Sequence, residues 1–272
     1  MEESMNKEIT VKLIAKTQIE NENLESWLCS LGVEDSVIAS IVSNFDSEIL
    51  IACAAKQCYM SFQPDMNPNV TKVRSDMAAY LDNVMAMGHG SVLEHVSFTF
   101  AIDNVTRVFT GEMNRHRAGV AISERSMRYI RFNEEMNWWM PLCLRANEND
   151  DEDLRIRKTI SRQVFIEAFN KMQEYYKVLC NAWEMDEAHH NFHYKKTMTS
   201  CFRRIIGMGV CTGGVWTLNV RALRHMLTMR CSKAAEEEIQ LVAHMILNIM
   251  RDQEPVLFGD FDQDGKPKYN KI

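Results

Sequence analysis

The sequence predicts an α+β protein, on two kinds of hydrophobic pattern and on its composition. Residues 96–102 alternate apolar and polar side chains with the period of a half-buried strand. Several longer segments place apolar residues three and four positions apart, as amphipathic helices do. The chain has 272 residues, of which 46% are hydrophobic, with 11 Gly and 5 Pro. That composition is typical of a compact, helix-rich globule that buries a core, and it argues against disorder.

The first half of the chain is predicted to contain one early strand and several short helices. Residues 8–14 alternate and predict the first strand. Residues 22–45 hold two short helical patterns that are broken at Gly32. Two further helices are predicted over residues 47–59 and 73–87, and the second of them leads into the strand at 96–102.

The second half is predicted to be mostly helical. A long amphipathic helix covers residues 153–183, with an aspartate as its cap, and a shorter helix covers residues 195–206. Four glycines between residues 207 and 214 are expected to bend the chain. Two more helices follow Asn219, and Pro255 is expected to end the second of them.

Neither an internal repeat nor a linker interrupts the sequence, so residues 1–272 are predicted to form a single domain. Within it, residues 147–195 are interpreted as an acidic loop with a helical insertion, and residues 257–272 as a polar tail. His189 and His193 would lie one turn apart on a helix, which is the spacing of a pair of zinc ligands. Because no glutamate stands as in a His-Glu-x-x-His pattern, we expect no metal site.

Charge, hydropathy and cysteine usage exclude several classes of protein. The net charge of −6 argues against nucleic acid as a partner. No run approaches the ~18 apolar residues of a membrane span, and the amino terminus lacks the pattern of a signal peptide. The eight Cys form no Cys-x-x-Cys pair and predict reduced thiols in a cytoplasmic protein, or one of the host cytoplasm if the source is viral. Cys58 is expected to be an inert, buried core residue.

Residues 87–132 concentrate the polar side chains that can do chemistry. A Gly-His-Gly turn at residues 88–90 precedes the strand, and Asp103-Asn104 is predicted to cap a helix that leads into the Arg-His-Arg motif at residues 115–117. Six arginines and no lysine stand in this stretch: Arg107, Arg115, Arg117, Arg125, Arg128 and Arg131.

A cluster of arginines without lysine favours defined contacts to an anion, because the guanidinium group is a planar fork that always carries charge. A diffuse nucleic-acid patch would more often mix lysine with arginine. The alternative is a solvated helix face whose arginines pair with Glu112 and Glu124. The pattern alone leaves both interpretations open.

The motifs in this stretch resemble a known family. The segments GHGSVLEHVSFTFAI, NRHR and SERSMRY are similar to the signature of the flavin-dependent thymidylate synthases. The segment WTLNVRALRHMLTMRCSKAAEEEI, residues 216–239, resembles the distal motif of the same family, and AAKQCY at residues 54–59 resembles a segment near its flavin. Two motif blocks in the right order are more specific than either alone, and the resemblance covers roughly half of the chain.

The resemblance implies a mostly antiparallel sheet flanked by helices, the thymidylate-synthase-complementing type of fold. It also implies a homotetramer with active sites at subunit interfaces, and FAD as the cofactor. The FAD-binding residues of the family correspond here to His89, Ser91, Glu94, Arg115, His116, Arg117, Glu124, Asn219, Arg221 and His225.

The resemblance further implies a small-molecule nucleotide substrate. The residues that would bind it are Glu112, Ser126, Arg128, Arg203 and Arg230, of which Arg230, Ser126 and Arg128 would be catalytic. A guanidinium group beside the pyrimidine carbonyl would stabilise the negative charge that builds when C5 acts as a nucleophile. The reaction implied is the reductive methylation of dUMP to dTMP, with methylenetetrahydrofolate and NADPH as co-substrates.

Several positions depart from the family pattern. Eight residues separate Arg117 from Ser126, where the family usually has seven. Glu112 stands where Gln is common, and its carboxylate would repel a nucleotide phosphate unless Arg125 pairs with it. The other departures are Ala121, Ser123, Arg125, Gly207, Ala234 and Glu236.

These departures keep two alternatives open. One is a related flavin-dependent enzyme that acts on dUMP or dCMP and leaves a methyl or hydroxymethyl group at C5. The other is a non-catalytic nucleotide-binding homologue that retains the scaffold, which predicts neither bound flavin nor NADPH oxidation.

Overall fold

A four-stranded antiparallel sheet flanked by helices forms the framework, and it confirms the predicted α+β class. The computed structural model describes residues 7–70, 72–132 and 136–269. The strands are β1 (Thr10–Lys16), β2 (Ser97–Thr106), β3 (Val120–Glu124) and β4 (Cys211–Asn219). They lie in the order β1-β2-β4-β3. Phe98, Phe100 and Ile102 are fully buried on one face of β2, which is the alternation that the sequence predicted.

The helices lie largely where the hydrophobic pattern predicted them. Their bounds are α1 Asn21–Ser30, α2 Asp35–Val42, α3 Asp46–Tyr59, α4 Met77–Ala86, α5 Arg107–Met113, α6 Glu152–Ala182, α7 Phe192–Phe202, α8 Val220–Arg230, α9 Glu237–Gln253 and α10 Pro255–Phe258. Gly32 follows α1 with a φ of +82°, a conformation that favours glycine, and this explains the predicted break. Pro255 was expected only to end a helix, but it also begins α10, since a first-turn proline needs no N–H partner.

The junction between β2 and α5 differs from the prediction. Asp103-Asn104 does not cap the helix, because β2 continues to Thr106 and α5 begins at Arg107. The Thr106 hydroxyl accepts from the Val108 amide at 3.1 Å and is the actual cap. Asn104 instead has a φ of +60° and donates to the Glu8 carbonyl at 2.9 Å. The sequence rule failed here because both aspartate and asparagine also fit turns and irregular strand positions.

Two strands were not predicted from the sequence. They are β3 and β4. The four glycines between residues 207 and 214 were expected only to bend the chain, but residues 211–219 form β4, which lies between β2 and β3. At Gly213 an added Cβ would collide with the Asp103 carboxylate and lie 2.8 Å from the Ile102 carbonyl oxygen. The glycine is therefore required by the close approach of β2, and a local pattern cannot reveal that requirement.

The boundaries of three helices shift by a few residues. Asp151, rather than Asp153, caps α6, and its carboxylate accepts from the Leu154 amide at 2.7 Å. Asn191 caps α7 in the same way, so this helix begins three residues before the predicted start. Helix α4 begins at Met77 rather than residue 73, after the cap residue Asp76. In each case the side chain that reaches the free amides decides where the helix begins.

The chain divides into two compact units. The first unit comprises Met1–Val11, Ala101–Arg115 and Ile122–Val215, and the second comprises Lys12–Phe100, His116–Ala121 and Trp216–Ile272. The boundary passes through each of the four strands, so a part of the sheet belongs to each unit. The organisation of residues 1–272 as a single domain stays a prediction.

Each unit has its own buried core. In the first unit, Trp138 stacks on Phe169 with ring centroids 4.0 Å apart, within a cluster that also includes Tyr176 and Phe202. In the second unit, Arg224 is buried against Asp260, and two guanidinium–carboxylate bonds of 2.7 and 2.8 Å join them.

Among the described residues, no helix has both the length and the apolar character that a membrane crossing requires.

All eight cysteines lie among the described residues, and no disulfide joins any two of them. Cys58 is exposed, and the prediction of a buried core residue was wrong. The buried face of α3 repeats every three to four residues through Ile49, Ala52, Cys53 and Lys56, and Cys58 does not lie on that face.

Candidate active site

The first unit contains a cavity of about 420 Å³ that is rich in arginine. Three chain segments supply its walls: the start of α5, the end of β3 with the residues after it, and the 3₁₀ turn Arg203–Ile205 that follows α7. The lining residues are Arg107, Glu124, Arg125, Ser126, Met127, Arg203 and Arg204. The structure therefore brings together three of the predicted site residues, Glu124, Ser126 and Arg203.

Arg107 and Glu124 form the fixed centre of this cavity. The two side chains make an ion pair, and both are mostly buried. Arg107 also donates to the Arg125 carbonyl at 2.5 Å, and Asn114 donates to the second carboxylate oxygen of Glu124 at 3.1 Å. Burial lowers the pKa of Arg107, and the neighbouring Arg203 lowers it further. The guanidinium stays charged, because its ordinary pKa lies above ~12.

Arg125 reaches its partner across a glycine. Its amide donates to the Gly213 carbonyl at 2.9 Å, and its guanidinium donates to the Asp103 carboxylate at 2.5 Å. Gly213 lies on β4, between the strand of Asp103 and the segment of Arg125, and it has no side chain to block the contact. The proposed pairing of Arg125 with Glu112 was therefore wrong. Glu112 lies instead beside Arg115, at 3.3 Å.

The charges of the cavity leave a surplus of two positive units. Four arginines line it, and two carboxylates offset them: Glu124 beside Arg107 and Asp103 beside Arg125. The surplus lies at Arg203, which is half-buried, and Arg204, which is exposed and donates to the Ser200 carbonyl at 2.8 Å. Two guanidinium groups with free N–H donors suit a dianion such as a phosphate monoester.

A smaller cavity of about 180 Å³ in the same unit shares Arg107 and Arg125 with the first. Its lining includes three buried polar atoms that have no hydrogen-bond partner among the described residues: Arg107 Nε, Asn137 Oδ1 and Thr212 Oγ1. Unpaired polar atoms in a protein interior cost about 1–3 kcal/mol each, so such atoms usually bind water or a polar ligand. This cavity therefore suits a polar group beside the arginines.

The second unit contains most of the residues predicted to bind the cofactor. His89 and Ser91 line a cavity of about 370 Å³, together with Cys58 and Tyr59. Tyr59 and His89 are neighbours, with ring centroids 6.4 Å apart. Glu94 and Arg221 form an ion pair at 2.6 Å in which both side chains are about half exposed. This region offers aromatic, hydroxyl and charged groups near one another.

Arg230 and His116 are joined directly within the second unit. Arg230 Nε donates to His116 Nε2 at 2.9 Å, and the rings of His116 and His225 lie edge to face at 6.1 Å. Because Nε2 accepts this bond, the neutral imidazole must carry its proton on Nδ1. The contact orients the guanidinium that was predicted to be catalytic.

Asn219 has a structural role in addition to the predicted one. Its side chain caps α8 by accepting from the Ala222 amide at 2.8 Å. Gly119, with a φ of +69°, packs against the same side chain, and a Cβ there would collide with it. The predicted sites Arg115, Arg117 and Arg128 are exposed, and none of the three lines the cavities described above.

Several residues at the arginine-lined cavity had no role predicted from the sequence. Arg107 and Arg125 belonged to the arginine cluster without a site of their own, and no role was predicted for Arg204 or for Asn114, which donates to Glu124. Arg204 follows the predicted Arg203 directly in the sequence, which is the one local signal that could have indicated it. The others depend on contacts between segments that are distant in the chain.

Glu184, His189 and His190 lie close enough together to hold one metal ion, in an exposed turn. This grouping differs from the considered pair of His189 and His193. Helix α7 begins only at Phe192, so the helical register needed for that pair does not extend to His189. His190 instead lies on the ring of Tyr194, with centroids 4.0 Å apart.

The sequence matches the family described as thymidylate synthase complementing protein over residues 40–256. The match covers most of the chain, including both arginine-bearing segments. The chain therefore belongs to the thymidylate synthase complementing protein family, and the resemblance seen in its motifs is confirmed.

Particular relatives agree with this family. The chain is 30% identical over 241 residues to the flavin-dependent thymidylate synthase of Corynebacterium efficiens, covering 88% of this chain and 89% of the relative. It is 32% identical over 217 residues to the enzyme of the same name from Mycobacteroides abscessus, covering 78% and 79%. A crystal structure of the UMP/dUMP methylase PolB from Streptomyces cacaoi, bound with 5-Br dUMP, has the same fold. Its TM-score is 0.64 at 16% identity, over 94% of this chain and 95% of that one.

Proposed function

We propose that the protein is a flavin-dependent thymidylate synthase that methylates dUMP to dTMP. Methylenetetrahydrofolate would supply the one-carbon unit, and NADPH would reduce FAD. The observation that carries this proposal is the arginine-lined cavity, with a surplus of two positive charges, in a chain of this family. Two positive charges match the phosphate of a nucleoside monophosphate better than a longer phosphate chain.

The phosphate would bind Arg203 and Arg204, with the Ser126 hydroxyl as a further donor. Arg107 and Glu124 would hold the wall of the site rigid, because each is already bound to the other. Arg128, whose side chain is exposed, and Glu112 would complete the nucleotide site. Arg230 would stand beside the pyrimidine carbonyl and stabilise charge at C5, an effect often worth ~3 kcal/mol or more for one donor.

The side chains of the second unit fit a flavin dinucleotide. His89, Ser91 and the Glu94–Arg221 pair offer donors and acceptors to its polar groups, and Arg117 and His225 are exposed donors for its diphosphate. His116 would hold Arg230 in position through its bond at 2.9 Å. FAD held by these residues would, once reduced, supply the hydride that completes the methyl group. Arg115, Glu124 and Asn219 complete the set of residues assigned to the cofactor.

We infer that the protein works as a homotetramer with active sites at subunit interfaces. The cavity of about 370 Å³ is smaller than a whole flavin dinucleotide, so each chain would cover only a part of the cofactor. The exposed Arg115 and Arg117 could then contact a cofactor shared between subunits. We also propose that the protein is located in the cytoplasm, or in the cytoplasm of a host, and that it has no nucleic-acid partner.

A second candidate function is the transfer of a methyl or hydroxymethyl group to C5 of dUMP or dCMP by a related flavin-dependent enzyme. The ion pair of Arg125 with Asp103 favours it, since Arg125 replaces an apolar residue of the family and lines the cavity. The third possibility, a non-catalytic nucleotide-binding homologue, would bind a nucleotide without turnover.

The test begins with the absorption spectrum of the protein after loading with FAD and desalting. The loaded protein is then incubated with methylenetetrahydrofolate, NADPH and either dUMP or dCMP, and the product is identified by mass. The proposal expects dTMP from dUMP. A hydroxymethyl product, or a product from dCMP alone, supports the second function, and loss of the flavin on desalting with no NADPH oxidation supports the third.

A matched pair of variants tests the phosphate site. Arg203→Gln is expected to raise the KM for dUMP about 10–100-fold, because a charge-assisted hydrogen bond contributes about 1.5–3 kcal/mol. Arg157→Gln, on the exposed face of α6, removes the same charge outside the cavity and is expected to leave the KM unchanged. Equal effects of both variants would contradict the assignment of the phosphate to this cavity.

A further inference from the structure

Another cavity, of about 410 Å³, lies in the second unit, among α2, α4 and the end of α3 with the loop that follows it. It shares Arg74 and Tyr80 with the cavity that His89 and Ser91 line. Its apolar wall consists of Val37, Ile41, Phe62, Pro64, Val73 and Met77. Its cationic groups are Lys56 and Arg74, and its other polar residues are serines, Gln63 and Tyr80. No carboxylate is among the lining residues that the structure describes, so the cavity combines an apolar wall with positive charge.

Lys56 is the unusual residue of this cavity. It lies on the buried face of α3 and is only 5% exposed. Its ammonium group donates to the Arg74 carbonyl at 3.2 Å and to the Ser61 carbonyl at 3.4 Å, and it lies 4.4 Å from the centroid of the Tyr80 ring. Within the described chain it forms no ion pair with a carboxylate.

Such a burial is costly for an ammonium group. The penalty for removing one charge from water is several kcal/mol, even after the protein relaxes around it. Two long bonds to neutral carbonyls and one aromatic face offset only a part of that penalty. Burial accordingly lowers the pKa of Lys56, while the neighbouring Cys53 acts in the opposite direction. An anion placed in the cavity would remove the remaining penalty.

We propose that this cavity binds a small amphipathic carboxylate, whose anionic end meets Lys56 and whose apolar body lies on Val37, Ile41 and Phe62. A volume of about 410 Å³ lies near the lower end of the ~300–1,000 Å³ that is usual for ligand pockets. An aromatic acid of two fused rings matches both the size and the single charge. The site is distinct from the arginine-lined cavity, and it does not depend on the proposed methyl transfer.

The test measures the binding of 2-naphthoate to the full-length, FAD-treated protein by titration calorimetry. We expect saturable binding at one site per chain. Lys56→Met keeps the length of the side chain but removes its charge, and it should weaken binding at least tenfold. Lys12→Met removes the charge of an exposed lysine of the same unit that lines neither this cavity nor the one with His89 and Ser91, and it should leave the affinity unchanged. The neutral isostere 2-naphthamide should bind at least tenfold more weakly than the acid.

Occlusion of the cavity gives a second approach that does not alter Lys56. Ser36 and Ser40 are exposed positions of α2 on the cavity rim, so Ser36→Trp and Ser40→Trp should fold and should abolish binding. Affinity should also fall as the pH rises through the lowered pKa of Lys56, because only the ammonium form pairs with the anion. This pH dependence should be absent from Lys56→Met.

Three results would overturn the proposal. They are no saturable binding at millimolar 2-naphthoate, equal affinity for the acid and the amide, or undiminished binding in the tryptophan variants. The first would leave Lys56 as a residue that only ties the loop before α4 to α3. Flavin loading and dTMP formation are measured on the same samples, so failure of this inference is distinguishable from failure of the proposed function.

Discussion

Replacing Gly213 by alanine should destabilise the sheet in the first unit. The new methyl carbon would lie 2.8 Å from the Ile102 carbonyl oxygen and 3.1 Å from the Asp103 Cα, and it would collide with the Asp103 carboxylate. Two of these neighbours are main-chain atoms of β2, so a rotamer change cannot relieve the contact. Overpacking of this kind costs about 1–3 kcal/mol, and displacement of Asp103 would also weaken its pair with Arg125.

The assay is urea-induced unfolding, followed by circular dichroism, with the unfolding free energy taken from the midpoint and slope. Gly111→Ala is the control, because a Cβ there would meet only the Met208 methyl group at an ordinary 3.9 Å within α5. It should raise the unfolding free energy by about 0.4–1 kcal/mol, since alanine restricts the unfolded chain. Equal midpoints for Gly213→Ala and the wild-type protein would refute the close approach of the two strands.

Three more substitutions test other parts of the structure. Asp260→Ala should lower the unfolding free energy by about 3–5 kcal/mol, because it leaves the buried Arg224 guanidinium without its carboxylate partner. Thr212→Val should leave the unfolding free energy unchanged or raise it, since the buried hydroxyl has no partner within the described chain. The pKa of Lys56 is lowered in the folded state. At pH values between that lowered pKa and the ordinary value of ~10.4, the unfolded state therefore binds more protons than the folded state. The unfolding free energy should accordingly rise with pH across this window. Lys56→Met should remove that rise.

The outcomes that contradict these expectations are specific. A loss below about 1 kcal/mol for Asp260→Ala would mean that water reaches the guanidinium group. A clear loss for Thr212→Val would mean that its hydroxyl holds ordered water in the small cavity of about 180 Å³. Identical pH profiles of the unfolding free energy for Lys56→Met and the wild-type protein would mean that the lysine is solvated in the folded state.

Much of the helical part of the fold could be predicted from the sequence because helix signals are local. The long helix α6 shows this: its apolar spacing gave its extent, and an aspartate within two residues of the predicted one is its cap. The alternation along β2 was predicted for the same reason, since side chains of one strand alternate whatever lies beside it. Cys58 was predicted to be buried but is exposed. The prediction failed because burial near a helix end depends on the segments that pack against it.

The arginine-rich stretch shows which features of the site could be predicted from the sequence and which could not. An excess of arginine without lysine favoured an anion site but left a solvated helix face as the alternative. The structure places Arg107 and Arg125 around one cavity with Arg203, which lies far along the chain. The partner of Arg125 was predicted wrongly. Glu112 is closer in sequence, but the strand order places Asp103 opposite Arg125 across Gly213.

The sequence by itself thus determined the helices, the alternating strand, the family and the types of residue available for chemistry. Each of these follows from interactions within a few residues or from the identity of the motifs. Only the tertiary structure decided that a glycine-rich segment is the strand β4, which charges are already paired, and which arginines remain for a ligand. Those outcomes depend on pairing between strands more than 80 residues apart in sequence, such as β2 and β4. No local pattern encodes that register, because it is selected by the packing of the whole sheet.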